Sequence, residues 1–261
     1  MKPWQDSWTD WTEEDIQQEL LPMIPSLANP TSQLCTQSQL EEVCYAWLCK
    51  QLGIEPLMNR KHWEFCYIIS VMTKACLLEG RALGFGVGKE PIPAFLLSCG
   101  VDVTATDAPP EIGLEWSKNY DDNVRHVDMN AIPPDLTDFD VCWSACALEH
   151  IGSLEHGKRF VLNAMNTLKP GGIAVHTTEY NLSSNKDTVN AHNLCLFRRW
   201  DIEDLISRLT LAGHTVWPVN YDSGDGPLDK HIDLPPYAPN HLKLRVSKYD
   251  VTSIGIVVQK R

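Results

Sequence analysis

The feature that most constrains the fold of this chain is a short apolar strand that runs directly into glycines. Residues 82–85 (Ala-Leu-Gly-Phe) are followed by Gly86, Val87 and Gly88. Because glycine accepts positive φ and has no side chain, a strand that ends in this way turns sharply and exposes backbone amides at the turn. A second strand, rich in β-branched residues, covers residues 101–106 and ends at Asp107. Two such strands with helical sequence between them predict a parallel α/β unit.

Strand and helix patterns alternate through the rest of the chain. The predicted strands cover residues 82–85, 101–106, 124–127, 139–143, 173–178, 215–219 and 252–259. The helical patterns between them cover residues 91–98, 111–119, 154–168 and 201–212. Alternation of this kind is typical of crossover units, so we expect an α/β fold with an open, doubly wound, mostly parallel sheet and helices on both faces.

Residues 1–77 have a different pattern. Residues 1–57 are polar and interrupted by proline, and helical periodicity occurs at residues 38–52 and 60–78. We expect the tryptophans at Trp4, Trp8 and Trp11 to pack rather than bind a ligand. We therefore predict an N-terminal helical extension over residues 1–77, followed by one domain over residues 78–261.

Composition argues against several classes of partner. Acidic residues number 34 against 22 basic ones, which gives a net charge of −12. A surface of this charge repels phosphate backbones and anionic lipids, so we expect neither nucleic acid nor membrane as a partner. No apolar stretch approaches the roughly 20 residues that span a bilayer. The polar N-terminal sequence lacks the apolar region of an export signal, so we expect a cytoplasmic protein with reduced cysteines.

Candidate ligand-binding residues follow three of the predicted strands. In a doubly wound sheet, ligands bind beside the carboxyl ends of the strands. There the glycine loop of residues 84–88 allows close approach of backbone to a ligand. Asp107, about 20 residues further on, is placed to accept both hydroxyls of an adenosine ribose. Asp128 and Met129 follow the next strand, where a carboxylate can hold an adenine amino group and a thioether can pack on the ring.

This layout is used for nicotinamide cofactors and for methyl donors. The glycines here are spaced G-x-G-x-G rather than G-x-G-x-x-G, and the loop continues through Lys89-Glu90-Pro91. We therefore expect no helix N-terminus at the usual pyrophosphate position. A further strand–turn–strand block runs from Phe139 through the turn at residues 169–172. Together these features favour a methyl donor.

With these motifs the chain resembles the class I S-adenosylmethionine-dependent methyltransferases. The resemblance covers the sequence from about residue 78 to the C-terminus and rests on LGFGVG (83–88), VTATD (103–107), VDMN (127–130), FDVCWSACALEHI (139–151) and LKPGGIAVHTTE (168–179). It implies a Rossmann-like fold with a seven-stranded sheet whose last strand is antiparallel, residues 215–219 and 252–259 forming the final pair. It also implies S-adenosyl-L-methionine as cofactor and S-adenosyl-L-homocysteine as product.

The resemblance also implies roles for individual residues. The methionine part of the donor would lie against the loop that contains Gly84, Phe85, Gly86 and Gly88. Asp107 would bind the ribose of the donor, and Asp128 and Met129 would bind its adenine. The sulfonium would lie above Ser144.

One position departs from the family pattern. The acidic residue that usually lies two positions before the first glycine is Ala82 here. The amino group of the donor then needs another partner, and the candidates are Glu90 and the helix that bears Arg60, Trp63 and Glu64.

Candidate catalytic residues follow the fourth and fifth core strands. Methyl transfer from a sulfonium depends on alignment and on exclusion of water, and it needs a base where the accepting atom carries a proton. The candidates are Glu149 and His150 after the fourth strand and His176 and Glu179 on the fifth. Histidine is favoured because it titrates near neutrality. A Glu-His pair such as Glu149-His150 also recurs in the family without a catalytic role, and the alternative is that it only fixes the loop after the fourth strand.

A metal site is not predicted. Some ubiquinone-pathway and small-RNA methyltransferases bind a divalent ion through the pattern E-x-x-E-H, whereas this chain has Cys146 at the position of the first carboxylate. Completing such a site would require a residue from the set His176, His231, Asp233 and His241.

The sequence therefore predicts a methyltransferase that acts by in-line displacement on an O or N atom of a small molecule, such as a sugar or a specialised metabolite. Residues 222–250 are expected to form a substrate-side insertion, because loops of this length usually serve function. Two alternatives stay open: a donor-binding regulatory module without catalysis, which Ala82 suggests, and a nicotinamide-dependent oxidoreductase. The sequence does not decide the oligomeric state.

Overall fold

The computed structural model describes residues 24–109, residue 111 and residues 124–261. The tryptophans at positions 4, 8 and 11, and all but the first residue of the helix predicted at 111–119, lie outside the described residues. Within the described part of the chain, every helix is either too short or too polar to cross a lipid bilayer.

Strands and helices alternate as the sequence predicts. The strands are β1 (Ser32–Leu34), β2 (Arg81–Phe85), β3 (Asp102–Asp107), β4 (Arg125–His126), β5 (Phe139–Ala145), β6 (Leu168–Asn181), β7 (Asn190–Ala191), β8 (Leu194–Cys195), β9 (Thr215–Val216), β10 (Val219–Asn220), β11 (Ile232–Asp233), β12 (Lys243–Val246) and β13 (Tyr249–Gln259). The helices are α1 (Gln37–Leu40), α2 (Val43–Gln51), α3 (Arg60–Lys74), α4 (Ile92–Ser98), α5 (Leu154–Ala164), α6 (Arg199–Leu211) and α7 (Pro227–Lys230). Short 3₁₀ segments occur at Leu148–His150 and Met165–Thr167.

The central sheet has the strand order β10-β1-β13-β6-β5-β2-β3-β4. The strands β6, β5, β2, β3 and β4 run parallel to one another, and β13 is antiparallel to β6. This arrangement confirms the predicted Rossmann-like sheet with an antiparallel final strand. Because β2 lies at the centre and both of its neighbours are parallel, the carboxyl ends of β2, β3 and β5 meet at one edge of the sheet.

Each face of the sheet is covered by its own set of helices. Trp143 of β5 packs in a core with α2, α3 and α4, whereas the adjacent Cys142 packs in a second core with α5 and α6. This division follows from the strand period of two, which sends neighbouring side chains to opposite faces. Strands buried on both faces read as nearly continuous apolar runs, which is the pattern that made them recognisable in the sequence.

Two features of the sheet differ from the sequence prediction. The strand predicted at 215–219 is divided, because β9 pairs with β13 while β10 pairs with β1. Pro218 lies between the two pieces, has no N–H to donate, and instead accepts a hydrogen bond from Ser32 N at 3.1 Å. The described part of the predicted extension contains α1–α3 and also β1, which joins the sheet between β10 and β13. A strand of this length is too short to give an alternation signal.

Helix α3 packs closely on the sheet where β13 has a glycine. A Cβ atom at Gly255 would lie 2.1 Å from the ring of Tyr67. That ring stacks on Trp63 with centroids 4.8 Å apart, and its hydroxyl donates to the carbonyl of Thr31 at 2.6 Å. These contacts fix α3 against the sheet and thereby set the position of its N-terminal turn, which carries Arg60.

Replacing Gly255 by alanine is expected to lower the free energy of unfolding by about 1–3 kcal/mol, because the added methyl group overpacks the core against Tyr67. Urea unfolding followed by circular dichroism measures the change. In a Tyr67→Ala background the same replacement should cost much less. An equal loss in both backgrounds would contradict the steric explanation.

Candidate active site

A cavity of about 850 Å³ opens at the carboxyl ends of β2, β3 and β5. Its volume lies in the upper part of the range of roughly 300–1,000 Å³ that is usual for ligand pockets. The walls come from the start of α3, the loop after β2, the ends of β3 and β4, the segment after β5, and Glu179 of β6. The cavity therefore occupies the edge of the sheet at which the sequence placed its candidate residues.

The loop after β2 forms one wall of the cavity with its backbone. Gly86 and Gly88 have φ values of +64° and +48°, a region that residues with a side chain rarely adopt. A Cβ atom at Gly86 would lie 2.8 Å from the Cβ of Ala147 across the cavity, whereas one at Gly88 would meet nothing within 4 Å. Glycine at position 86 therefore keeps the cavity open.

Three of the predicted side chains lie together on the neighbouring wall. Asp107, Asp128 and Met129 all border the cavity. The two oxygens of Asp107 accept hydrogen bonds from the amides of Gly88 at 3.0 Å and Ala108 at 2.7 Å, which fixes the carboxylate at the mouth of the glycine loop. Burial raises the pKa of Asp107 above its ordinary value.

Glu90 borders the same cavity and forms a close contact with Trp143. The indole Nε1 of Trp143 donates to Glu90 Oε1 at 2.5 Å. Loss of hydration raises the pKa of Glu90 to about 8. A cation that binds beside this carboxyl group therefore favours its ionised form. Ala82 is buried inside β2 and supplies no acid, whereas Glu90 offers a carboxyl group to the cavity.

The structure corrects the predicted roles of Gly84 and Trp63, which do not border the cavity. A Cβ atom at Gly84 would lie 2.4 Å from the indole of Trp143, so this glycine lets Trp143 pack on β2 and reach Glu90. Trp63 is fully buried and donates from Nε1 to Gln39 Oε1 at 2.6 Å, inside the α3 core.

Phe85 and Ser144 require the same correction. Both are fully buried away from the cavity. The ring of Phe85 packs edge-on against Phe160 of α5 at 5.1 Å, and the hydroxyl of Ser144 is hydrogen-bonded to Nδ1 of His176 at 2.8 Å. Their side chains point to the α5 face of the sheet, so the family pattern placed the right strands at the site but not these side chains.

His176 is also removed from the candidate bases by its position. It is buried under α5, with its ring 5.4 Å from that of Phe160 and its Nε2 without a hydrogen-bond partner. Loss of hydration lowers its pKa to about 3, so the imidazole is neutral at physiological pH. The cause is strand register, because position 176 of β6 faces α5 whereas Thr177 and Glu179 face α3.

Glu149 and His150 both border the cavity, on the segment that follows β5. Glu149 is fully buried, its Oε2 accepts from Thr178 Oγ1 at 3.0 Å, and its Oε1 has no partner among the described residues. Burial raises the pKa of Glu149. His150 Nδ1 donates to the carbonyl of Asn193 at 2.8 Å, which fixes one tautomer of the ring.

A buried ionic cluster behind this end of the cavity went largely unrecognised in the sequence. Glu64 is fully buried and is paired with Arg60 Nη1 at 3.3 Å and Lys61 Nζ at 3.2 Å. It also accepts from the thiol of Cys146 at 2.8 Å and from Ser253 at 2.5 Å. Burial alone would raise the pKa of Glu64, but the two cations outweigh it and lower that pKa. Three charged residues in the first turns of an otherwise apolar helix were the available signal.

Residues 222–250, all of which the structure describes, contribute none of the residues that border the cavity. Their strand β12 pairs with β13, and the carbonyl of His241 accepts from the amide of Arg60 at 3.1 Å. The segment therefore supports the N-terminus of α3. In the described part of the chain, no group of three His, Cys, Asp or Glu side chains is arranged to hold a metal ion.

Residues 83–176 match a family of methyltransferase domains. These residues form a methyltransferase domain, for which the resemblance in the sequence implies S-adenosylmethionine as the methyl donor. The resemblance seen in the sequence is thereby confirmed. The search of curated protein sequences gave no match.

Three solved structures illustrate the similarity of topology. A methyltransferase from Clostridium acetobutylicum is 14% identical, with a TM-score of 0.47, 77% of this chain covered and 92% of that chain. An amino pentose methyltransferase of calicheamicin biosynthesis from Micromonospora echinaspora is 13% identical, with a TM-score of 0.48 and coverages of 83% and 96%. A 1,6-didemethyltoxoflavin-N1-methyltransferase from Burkholderia thailandensis is 17% identical, with a TM-score of 0.44 and coverages of 87% and 91%.

Gly86→Ala is expected to weaken the binding of S-adenosylmethionine by about 10-fold or more, because its methyl group projects into the cavity toward Ala147. Gly88→Ala serves as the matched control, since it imposes the same unfavourable φ but meets open space. Titration calorimetry gives both dissociation constants. Equal losses in the two variants would show that backbone strain, rather than the occupied space, is responsible.

Donor affinity is expected to rise with pH between about 6 and 7.5, below the ordinary pKa of the donor's own α-amino group. The reason is that Glu90, whose pKa is about 8, must lose its proton to pair with a cation. The gain should approach about 10-fold per pH unit where the carboxyl is mostly neutral. Glu90→Gln should bind more weakly and show a flat profile. If the donor affinity of the variant rises with pH as steeply as that of the wild-type protein, Glu90 is not the partner of the donor.

Proposed function

We propose that this protein transfers the methyl group of S-adenosylmethionine to an O or N atom of a small molecule that binds in the same cavity. The observation that carries the proposal is the continuity of that cavity. It joins the glycine loop and the acidic strand ends to a second polar region at Glu149 and Glu179, where buried oxygen atoms have no partner within the described chain. A donor and an acceptor can therefore meet without leaving the site.

The described residues fit the donor. The open backbone at Gly86 accommodates the methionine chain, Glu90 supplies the carboxylate for its amino group, and Asp107 is held at the position for the ribose hydroxyls. Asp128 and Met129 complete the wall for the adenine. S-adenosylmethionine, when bound, supplies an activated methyl group on a sulfonium sulfur, so the protein has to orient the two reactants in line rather than activate a leaving group.

Part of the cavity wall is apolar. Phe65, Ala145 and Ala147 contribute to this wall, and Ala145 and Phe65 are almost fully buried. A dry site strengthens the attraction between the sulfonium and the surrounding carboxylates and prevents loss of the methyl group to water.

Glu149 is the best-placed proton acceptor. This residue borders the cavity, its Oε1 has no partner among the described residues, and the burial that raises its pKa makes it a stronger base than a surface carboxylate. His150 follows it in the chain and borders the same cavity. The enclosed site and the net charge of −12 support a small molecule rather than a nucleic acid as the acceptor.

Glu149→Gln is expected to lower kcat by about 100-fold or more while leaving the dissociation constant of S-adenosylmethionine within about 2-fold of the wild-type value. The assay follows transfer of a labelled methyl group into the small-molecule fraction of a cell extract, with mass spectrometry to identify the compound that gains one methyl group. Glu203→Gln, at an exposed carboxylate paired only with Arg199 in the described structure, is the control.

Full donor binding by the wild-type protein without transfer to any compound of the extract would contradict the proposal and favour the regulatory module. Tight binding of a reduced nicotinamide dinucleotide in a fluorescence titration would favour the oxidoreductase. Transfer into protein or nucleic acid but not into the small-molecule fraction would show that the acceptor class is wrong.

A further inference from the structure

We infer that the acceptor is an amine whose nitrogen lies between Glu149 Oε1 and Glu179 Oε2. The inference rests on the proposed function and specifies its substrate class. It begins from Glu149 and Glu179, two residues that border one cavity and that each have a buried carboxylate oxygen without a hydrogen-bond partner among the described residues. Buried oxygens are rarely left without a donor, and those that are often mark a place where a ligand binds.

The second oxygen of each carboxylate is already engaged, which fixes the direction of the free one. Glu149 Oε2 accepts from Thr178 Oγ1 at 3.0 Å, and Glu179 Oε1 accepts from Arg60 Nη2 at 2.5 Å. Thr178 and Glu179 are neighbours on β6, and the side chain of Glu149 is fully buried. The two free oxygens are therefore held on rigid elements, and the site does not have to be assembled when the ligand binds.

The number of donors required distinguishes an amine from an alcohol. Two acceptor oxygens need two N–H or O–H groups, and a single hydroxyl supplies one. A primary amine supplies two, and its protonated form supplies three, all on the atom that becomes methylated. An amine thus satisfies both carboxylates from one position, whereas an alcohol leaves one buried oxygen unpaired at a cost of about 1–3 kcal/mol.

The local charge points the same way. Three carboxylates meet in this part of the cavity, Glu64, Glu149 and Glu179. Arg60 pairs with both Glu64 and Glu179, and Lys61 pairs with Glu64. When these five groups are all ionised, the negative charges exceed the positive ones by one, so the cluster lacks one counter-ion. An ammonium group supplies it, while an acceptor with a carboxylate or phosphate next to the reacting atom would be repelled.

The reaction balances with these residues. The ammonium group gives one proton to the Glu149 carboxylate and becomes a neutral amine. Its lone pair then forms the new N–C bond to the methyl carbon while the C–S bond breaks and its electron pair stays on sulfur. The nitrogen again carries a positive charge, which Glu179 stabilises, and the products are a methylated ammonium and S-adenosylhomocysteine.

The test compares amines with alcohols of the same shape. Tyramine and tyrosol, cyclohexylamine and cyclohexanol, and glucosamine and glucose are titrated by calorimetry into the protein saturated with S-adenosylhomocysteine. At least one amine should bind about 10-fold or more tightly than its alcohol. Glu149→Gln and Glu179→Gln should each remove most of that preference, and the control Glu203→Gln should keep it.

The affinity for S-adenosylhomocysteine, measured on each variant, shows whether the fold and the donor site are intact; if one variant fails to fold, the other carries the test. Alcohols that bind as tightly as their amines, or no amine that binds, would overturn the amine inference and leave the proposed methyl transfer standing. A preference that survives in both variants would overturn the placement at Glu149 and Glu179. Failure of the wild-type protein to bind S-adenosylhomocysteine would instead contradict the proposed function itself.

Discussion

The buried carboxylate of Glu64 is the contact on which the site depends. It joins Arg60 and Lys61 of α3 to the thiol of Cys146 after β5, to Thr177 of β6 and to Ser253 of β13. Removing one partner of such a buried cluster typically costs about 3–5 kcal/mol, because it leaves a charge without compensation. One side chain thus attaches a helix from outside the central α/β core to three strands and holds one wall of the cavity in place.

The donor side of the cavity depends on close packing rather than on charge. Gly84 lets the indole of Trp143 lie on β2, and that indole donates to Glu90 and fixes its carboxyl beside the glycine loop. The fold therefore supplies an acid from the loop where the family pattern has one on the strand. Under the proposed function, Glu90 is the partner of the donor's amino group in place of an acid at position 82.

The fold and part of the site could be predicted from the sequence. The parallel sheet was predicted because strands buried on both faces are recognisable as apolar runs between glycine and proline signals. Gly86, Gly88, Glu90, Asp107, Asp128, Met129, Glu149 and His150 all border the cavity as the sequence analysis expected. These residues share one property: each lies at or after the carboxyl end of a strand. Once the strands are recognised, the position along the chain is enough to place such residues at this edge of the sheet.

The remaining assignments needed the tertiary structure, because they depend on which face a side chain occupies. A shift of one position in β5 or β6 moves a side chain from the α3 face to the α5 face, which is why Ser144 and His176 lie away from the cavity while Ala145 and Glu179 border it. The sequence by itself determined the class of fold and the edge where ligands bind. The meeting of Glu64, Cys146 and Ser253, which are far apart along the chain, was decided only by the packing of α3 on the sheet.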